Sequence, residues 1–157
     1  MSMEIYTLSE KQLDSIADWQ KAIDAAGFAL TLPIDRPLSA LRGLLPIQLL
    51  GSQAGFECDH WDARDIQETY AEVGFDRRWQ YCLAFRWGAD LKDCLAAYMA
   101  AAAYSVAASG VVLDCEQGKL LKPQQAVKAA RDIEQQLPAM EKALRSAMEK
   151  FKRRPRP

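Results

Sequence analysis

Residues 79–121 constrain the fold of this chain more than any other stretch. They begin with the segment WQYCLAFRW and continue into a run without a charged side chain from Cys94 to Leu113. Alternation of large apolar residues with other residues is typical of a half-buried strand, and a helix that is apolar nearly all round has to be covered on nearly every side. The sequence therefore predicts a strand followed by a buried, alanine-rich helix near residues 90–109, which lies on a sheet and is itself covered by another element.

The strand is predicted to carry its core side chains on one face. That face is formed by Trp79, Tyr81, Leu83, Phe85 and Trp87. Gly88 ends the strand, Asp90 is placed to cap the helix, and Gly110 is placed to end it. Short strands are expected at residues 111–113 and 119–121, on either side of a turn.

The chain before this unit alternates between strands and helices. A strand at residues 4–8 is followed by Ser9 and Gln12 in the spacing of a capping box, which predicts a helix that ends at Gly27. Residues 28–32 alternate as a strand. Residues 47–50 and 55–61 predict a hairpin, and Asp62 is a suitable cap for a helix that ends at Glu72. After the central unit, Pro123 and Pro138 each predict the start of a helix.

Together these elements indicate an α+β fold in a single domain that spans residues 1–149. A mostly antiparallel sheet of five or six strands is expected, with the helices packed on one face. The order of elements lacks the regular βαβ alternation of a doubly wound parallel sheet. Residues 150–157 hold five of the 20 basic residues, which leaves residues 1–149 with 15 basic against 21 acidic side chains. We expect this segment to be a frayed basic tail.

The four cysteines are widely separated and the chain has one histidine, so neither a zinc-binding motif nor a disulfide framework is indicated. Cys58 and His60 stand two apart on a predicted strand and are the residues closest to a Cys-His nucleophilic pair. Phe56 shares their face, which favours a core role. A small Cys/His hydrolase is therefore the least favoured alternative, and we predict a protein that is not an enzyme and has no catalytic, metal-binding or cofactor-binding residues.

Several other classes of function lack support in the sequence. There is no phosphate-binding glycine loop. Basic and aromatic residues are not interleaved as a nucleic-acid surface requires, apart from Phe85 and Trp87 on either side of Arg86. The first residues do not resemble a signal peptide, and the alanine-rich run is too weakly apolar to favour lipid. The expectation is a cytoplasmic protein that binds neither nucleic acid nor membrane.

One segment offers a candidate binding surface. Residues 54–76 contain seven acidic side chains against one basic side chain, Arg64, with Trp61 and Tyr70 among them. A solvated helix face explains many such segments. The alternative is a docking patch in which negative charge steers a basic partner and an aromatic side chain supplies the anchoring contact. Its predicted partner-binding residues are Glu57, Asp59, Trp61, Asp62, Asp65, Glu68 and Glu72.

Residues 28–130 resemble the small cytoplasmic immunity proteins that protect bacteria from polymorphic toxins and secretion-system effectors. The resemblance lies in FALTLP, the stretch that begins Gly43-Leu-Leu-Pro, AGFE, YCLAFRWGADLKD, and the alanine-rich run into GVVLDCEQGKLL. It implies stoichiometric inhibition of a cognate toxin or effector by a rigid domain, and a basic toxin such as a nuclease would suit the acidic patch. An effector chaperone or adaptor, which holds its partner without neutralising it, is the other alternative.

Overall fold

The structure, a computed structural model, describes residues 2–153 and is an α+β fold built on one antiparallel sheet. In chain order the elements are β1 (Met3–Ser9), α1 (Ile16–Ala25), β2 (Leu30–Thr31), β3 (Leu44–Leu49), β4 (Ser52–Trp61), α2 (Ala63–Thr69), β5 (Tyr81–Trp87), α3 (Leu91–Ala107), β6 (Val111–Asp114), β7 (Lys119–Leu121) and α4 (Pro123–Arg153), with short 3-10 helices at Leu38–Ala40 and Ala71–Val73. The order of strands in the sheet is β2-β3-β4-β5-β1-β6-β7, and every neighbouring pair is antiparallel. The predicted fold class is therefore confirmed, with seven strands instead of five or six because the short strands β2 and β7 both join the sheet.

The first face of the sheet carries the larger core. Leu83 and Phe85 of β5 and Ile5 of β1 lie there beneath α1 and α3, and α4 packs against α3. Every side chain of α3 from Leu95 to Ser105 is buried. Because alanine allows close approach, Trp19 of α1 reaches the backbone of α3, where its indole nitrogen donates a 2.9 Å hydrogen bond to the Ala100 carbonyl. The predicted buried, covered helix is confirmed.

The second face of the sheet is covered over only part of its width. The short helix α2 packs there through Ala63 and Ile66, onto Tyr6 and Leu8 of β1 and Cys82 and other residues of β5 and β6. The prediction that helices lie on one face thus holds for α1, α3 and α4, while α2 lies on the other face. Its position explains why β5 is buried on both sides and why Cys82 and Ala84 belong to a core.

The predicted aromatic core face of β5 is correct only for its second half. Tyr81, at the start of the strand, is 42% exposed. Trp79 precedes the strand and packs in the smaller core with α2. Alternation alone cannot locate the end of a strand, and these two residues lie where the chain enters the sheet from a loop.

Several predicted boundaries were wrong; α2, for example, ends at Thr69 and not at Glu72. Helix α1 is capped by Ser15, whose hydroxyl oxygen accepts from the Asp18 backbone N–H, and not by Ser9, which belongs to β1 and pairs with Tyr81. The strand expected at residues 28–32 is limited to Leu30–Thr31, although Phe28, Leu30 and Leu32 are all buried as the alternation indicated.

Another error concerns the C-terminal region, because Pro138 does not start a new helix. It lies inside the continuous helix α4, which runs from Pro123 to Arg153. Residues 150–153 of the expected basic tail form the last turn of this helix, and residues 154–157 lie outside the described residues. A proline in a helix interior removes one backbone hydrogen bond, but here the helix continues through it.

Candidate functional site

The strand β4 separates core residues from surface residues by strict alternation. Phe56 and Cys58 point into the larger core and are at most 1% exposed. Glu57, Asp59 and Trp61 therefore lie on the opposite face of the strand, which is the second face of the sheet. This alternation places three of the seven predicted partner-binding residues side by side along one strand.

Trp61 lies at the end of β4 and is held by two neighbours. Its ring centroid is 5.8 Å from that of Tyr6, with an interplanar angle of 55°. The guanidinium of Arg86 stacks over the indole at 4.7 Å from the ring centroid, a favourable cation–π geometry. Trp61 remains 39% exposed. It is thus an aromatic side chain whose position is already fixed but whose outer surface is free.

Arg86 is itself fixed by an ion pair with Glu4. The Arg86 Nε to Glu4 Oε2 distance is 3.1 Å, and both side chains are roughly two-thirds buried. Glu57 is the cross-strand neighbour of Arg86 on β4, while Glu4 is its neighbour on β1. The arginine therefore lies between two carboxylates, and it pairs with one of them while Glu57 stays exposed.

The phenols beneath Trp61 stay neutral at physiological pH. Burial, and then a hydrogen bond to Glu4, raise the pKa of Tyr6 far above its ordinary value. Burial raises the pKa of Tyr70 to about 12. Tyr70 lies next to Tyr6, with ring centroids 6.0 Å apart. Trp61 therefore stands on a layer of uncharged aromatic rings.

The second face of the sheet is open beyond Trp61, on β3 and the start of β4. Leu45, Ile47 and Leu49 of β3 are buried in the larger core, so the alternate residues of that strand face outward. Leu44 is one of them and is 66% exposed. It lies over Gly55, where an added Cβ would be 3.0 Å from Leu44 Cδ1. An exposed leucine on a rigid strand adds apolar surface to the face that carries Trp61.

Two of the predicted binding residues also support the local backbone. The Gly43 backbone N–H donates a 2.9 Å hydrogen bond to Asp59 Oδ1. The Arg64 backbone N–H donates a 2.8 Å hydrogen bond to Asp62 Oδ1, which makes Asp62 the cap of α2 as predicted. Substitutions of Asp59 or Asp62 would therefore disturb the fold as well as the surface.

The remaining predicted residues lie on and just after α2. Asp65, Glu68 and Glu72 are all exposed. Glu68 and Asp62 line a cleft of about 660 Å³ between α2 and the loop that precedes β5. Three arginines line the same cleft, namely Arg64, Arg77 and Arg78.

The structure thus brings basic side chains to a segment that looked almost purely acidic. Arg77 pairs with Glu10 at 2.9 Å and stacks on Trp79 at 4.5 Å. The sequence interpretation missed Arg77, Arg78, Arg86 and Leu44. A signal was present for Leu44, because it is an apolar residue at an outward position of an alternating strand. Arg77 and Arg78 directly follow residues 54–76 in the chain, so a window two residues longer would have included them, whereas the approach of Arg86 to β4 depends on the order of strands in the sheet.

Cys58 and His60 do not form a reactive pair in this structure. Cys58 has no exposed surface, and burial, with a smaller contribution from Asp59, raises the pKa of its thiol. His60 Nε2 donates a 2.8 Å hydrogen bond to the Leu38 carbonyl, across to the 3-10 helix. A thiol that is buried and neutral is a poor nucleophile, so this environment favours a structural role.

Three further observations bear on the site. Within residues 2–153, no group of three or more histidine, cysteine or acidic side chains is placed to hold a metal ion. None of the helices in that part of the chain is long and apolar enough to cross a membrane. No protein-family model, curated protein or solved structure matches this chain.

Proposed function

We propose that this protein is a non-enzymatic binding domain, and specifically an immunity protein that neutralises a cognate bacterial toxin or effector by stoichiometric binding in the cytoplasm. The observation that carries the proposal is Trp61, a half-exposed indole fixed by Tyr6 and Arg86 on the open face of the sheet. Tryptophan is enriched among the residues that dominate binding energy at protein interfaces. An anchor that is already ordered loses little conformational entropy on binding.

The surroundings of Trp61 support a protein partner with basic groups. Glu57 is exposed on the same face, and the carboxylates of α2 follow directly in the chain. Exposed negative charge accelerates association with a positively charged protein and makes the rate depend on salt. Arg64, Arg77 and Arg78 border the helical part of this surface, so the steering charge is concentrated on the β4 side and on Asp65 and Glu72.

The rigidity of the scaffold also supports inhibition by occlusion. β4 pairs on both sides, with β3 and β5, and α3 fills the core behind it with small side chains. A surface on a paired strand keeps its shape on binding, as is usual for preorganised inhibitors. The buried state of Cys58 favours this binding role over thiol catalysis.

The test is co-expression in bacteria of this chain with the product of the neighbouring open reading frame. The proposal expects the neighbour to be toxic when expressed alone and harmless when this protein is present. Trp61→Ala should abolish rescue. Tyr81→Ala is a matched control, because Tyr81 is equally exposed but lies on the other face of the sheet, and it should leave rescue intact.

Other outcomes distinguish the alternatives. A neighbour that becomes soluble in the presence of this protein but stays toxic would indicate an effector chaperone or adaptor. Rescue that is lost in the double variant Cys58→Ala and His60→Ala, in a protein that remains folded by circular dichroism, would favour a thiol enzyme. A neighbour without toxicity would overturn the proposal.

A further inference from the structure

The C-terminal half of α4 carries an apolar stripe that nothing in the described chain covers. Its large members are Met140, Leu144, Met148 and Phe151, which are 40%, 50%, 53% and 76% exposed. Leu137 is the last buried residue of the helix, and Pro138 follows it directly. From that point the helix extends beyond the body of the protein as far as Arg153.

The stripe continues the face by which α4 packs on α3. Ala126, Ala130 and Leu137 belong to the larger core. Beyond them, apolar residues recur at intervals of three and four residues, at Leu137, Met140, Leu144, Ala147 and Phe151. This spacing is the heptad pattern of helices that pack side by side with interdigitated side chains. The face by which the first half of α4 packs on α3 therefore continues along the second half, where no other part of the described chain contacts it.

The charges on this half of the helix lie away from the stripe. In the heptad just described, Lys142, Arg145 and Lys152 occupy outer positions, and Glu141 and Lys150 are the charged residues at flanking positions. The residues that flank the stripe are small, apolar or of mixed sign, as at the edges of a helix–helix seam. This arrangement favours another helix as the partner.

We propose that this stripe pairs with the same stripe of a second copy of the chain, so that two α4 helices form a short antiparallel helix pair centred on Leu144. In this register Leu144 meets Leu144, and Phe151 of each copy reaches Leu137 of the other. The four large side chains expose on the order of 400 Å² per copy, comparable to the largest patch on an ordinary monomer. Two copies can therefore bury about 800 Å² through these side chains, an area typical of a weak, transient pair.

Charge complementarity selects the antiparallel orientation. Residues 138–153 hold five basic and two acidic side chains, whereas residues 1–137 hold 13 basic and 19 acidic side chains. An antiparallel pair brings the basic last turn of each helix next to the partner's acidic body, and it also aligns the helix dipoles favourably. A parallel pair would place the two acidic bodies together and the two basic ends together. The inference is independent of the proposed immunity function.

Sedimentation analysis of the full chain across the micromolar range tests the proposal. The unmodified protein should dimerise with a micromolar dissociation constant, which should rise with salt. Leu144→Glu places two carboxylates at the symmetry axis and should raise the dissociation constant at least about tenfold. Ser146→Glu is the matched control, since it adds the same charge at an exposed outer position of the same turn, and it should change the constant less than about twofold.

Orientation is tested by disulfide trapping between two variants. Met140→Cys and Met148→Cys proteins are mixed, oxidised and digested, and the cross-linked peptides are identified by mass spectrometry. An antiparallel pair gives the mixed 140–148 disulfide, whereas a parallel pair gives the 140–140 and 148–148 disulfides and contradicts the orientation.

Three results would overturn the pairing itself. One is a monomer at every concentration, and another is an equal effect of Leu144→Glu and Ser146→Glu. The third is a monomer whose Leu144-dependent binding partner is a vesicle of phosphatidylserine and phosphatidylcholine. Because Leu144 and Met148 are exposed, circular dichroism of Leu144→Glu, and of Met148→Glu as a second variant, should show an intact fold.

Discussion

The Tyr98 hydroxyl donates a 2.8 Å hydrogen bond to Asp114 Oδ2, in the interior between α3 and β6. Both residues are buried, Asp114 to all but 2% of its surface. The other carboxylate oxygen accepts from the Gln117 backbone N–H at 3.1 Å, at the turn before β7. The Asp114 side chain thus fixes both the turn that follows β6 and the position of α3.

Removal of this hydroxyl should destabilise the protein. Tyr98→Phe leaves a buried carboxylate with one partner fewer, and we expect a loss of about 1–3 kcal/mol in the free energy of unfolding. The measurement is urea denaturation at pH 7, with Tyr81→Phe as the control at an exposed position. Equal midpoints for the two variants would show that the hydrogen bond contributes nothing net.

Substitutions at two neighbouring positions after α3 should have opposite effects on the stability of the protein. Ser109 has a φ of 53° in the left-handed region, so Ser109→Gly should stabilise the protein by up to about 1 kcal/mol. A Cβ on Gly110 would clash with the Leu8 carbonyl oxygen, so Gly110→Ala should cost about 1–3 kcal/mol or more. Thermal unfolding of both variants checks the pair, and a stable Gly110→Ala protein would contradict the close packing of β1 against this turn.

The helix α4 offers a matched comparison of burial. Leu137 is 5% exposed and Leu144 is 50% exposed, on the same face of the same helix. Leu137→Ala should cost about 2–4 kcal/mol in the free energy of unfolding, whereas Leu144→Ala should cost less than about 0.5 kcal/mol. Both are measured by denaturant unfolding at a protein concentration low enough to keep the chain monomeric. Similar losses would show that the outer half of the helix packs on the body after all.

The buried thiols predict a loss of stability at alkaline pH. Burial raises the pKa of Cys58 and Cys82 above the ordinary thiol value of 9.0. Above pH 9 the unfolded chain releases these protons while the folded chain keeps them. The contribution of the two neutral thiols to the free energy of unfolding is therefore fully present below pH 9. It falls as pH rises, by up to about 1.4 kcal/mol per pH unit for each thiol.

Urea denaturation at pH 8, 9 and 10 measures this slope, with Cys58→Ala as the comparison. The variant should lose stability less steeply with pH, whatever its stability at pH 8. An unchanged slope would mean that the thiol ionises equally in both states. Half-buried Cys94 and Cys115 should react with a thiol reagent before Cys58 and Cys82 do.

The proposed binding surface predicts a salt-dependent loss of affinity. Reversal of Asp65, Glu68 and Glu72 to Lys should weaken binding to the cognate partner, mainly through slower association, with a difference that shrinks at high salt. A control protein carries the same change in charge at Asp14, Asp35 and Glu116, which are exposed elsewhere. Calorimetry that gives equal affinities for the two triple variants would exclude the helical carboxylates from the interface.

Local patterns were sufficient for part of this structure and misleading for another part. Period-two alternation identified β5 and the outward position of Trp61, because the pleat of a strand assigns each residue to a face. Two serines have the spacing of a helix cap, and the choice of Ser15 over Ser9 was not visible locally. Ser9 does not cap the helix, because it lies in β1 and pairs with Tyr81, more than seventy residues away.

The candidate site, too, could be predicted from the sequence only in part. The aromatic and acidic residues of β4 could be placed on one face from sequence. The stacking of Arg86 on Trp61 depends on β5 lying beside β4, and the ion pair of Arg86 with Glu4 depends on β1 lying on its other side. Strand order is set by the total burial of the sheet, so no local window contains it.

The sequence by itself determined the α+β class, the central strand and the buried alanine-rich helix, because backbone stereochemistry and side-chain size act over a few residues. Only the tertiary structure decided which amphipathic faces find a partner. The apolar face of α4 runs almost its whole length, yet α4 is about 46 Å long and α3 about 26 Å. The longer helix extends past the core that covers it, so its last turns present to solvent the same face that the first turns bury.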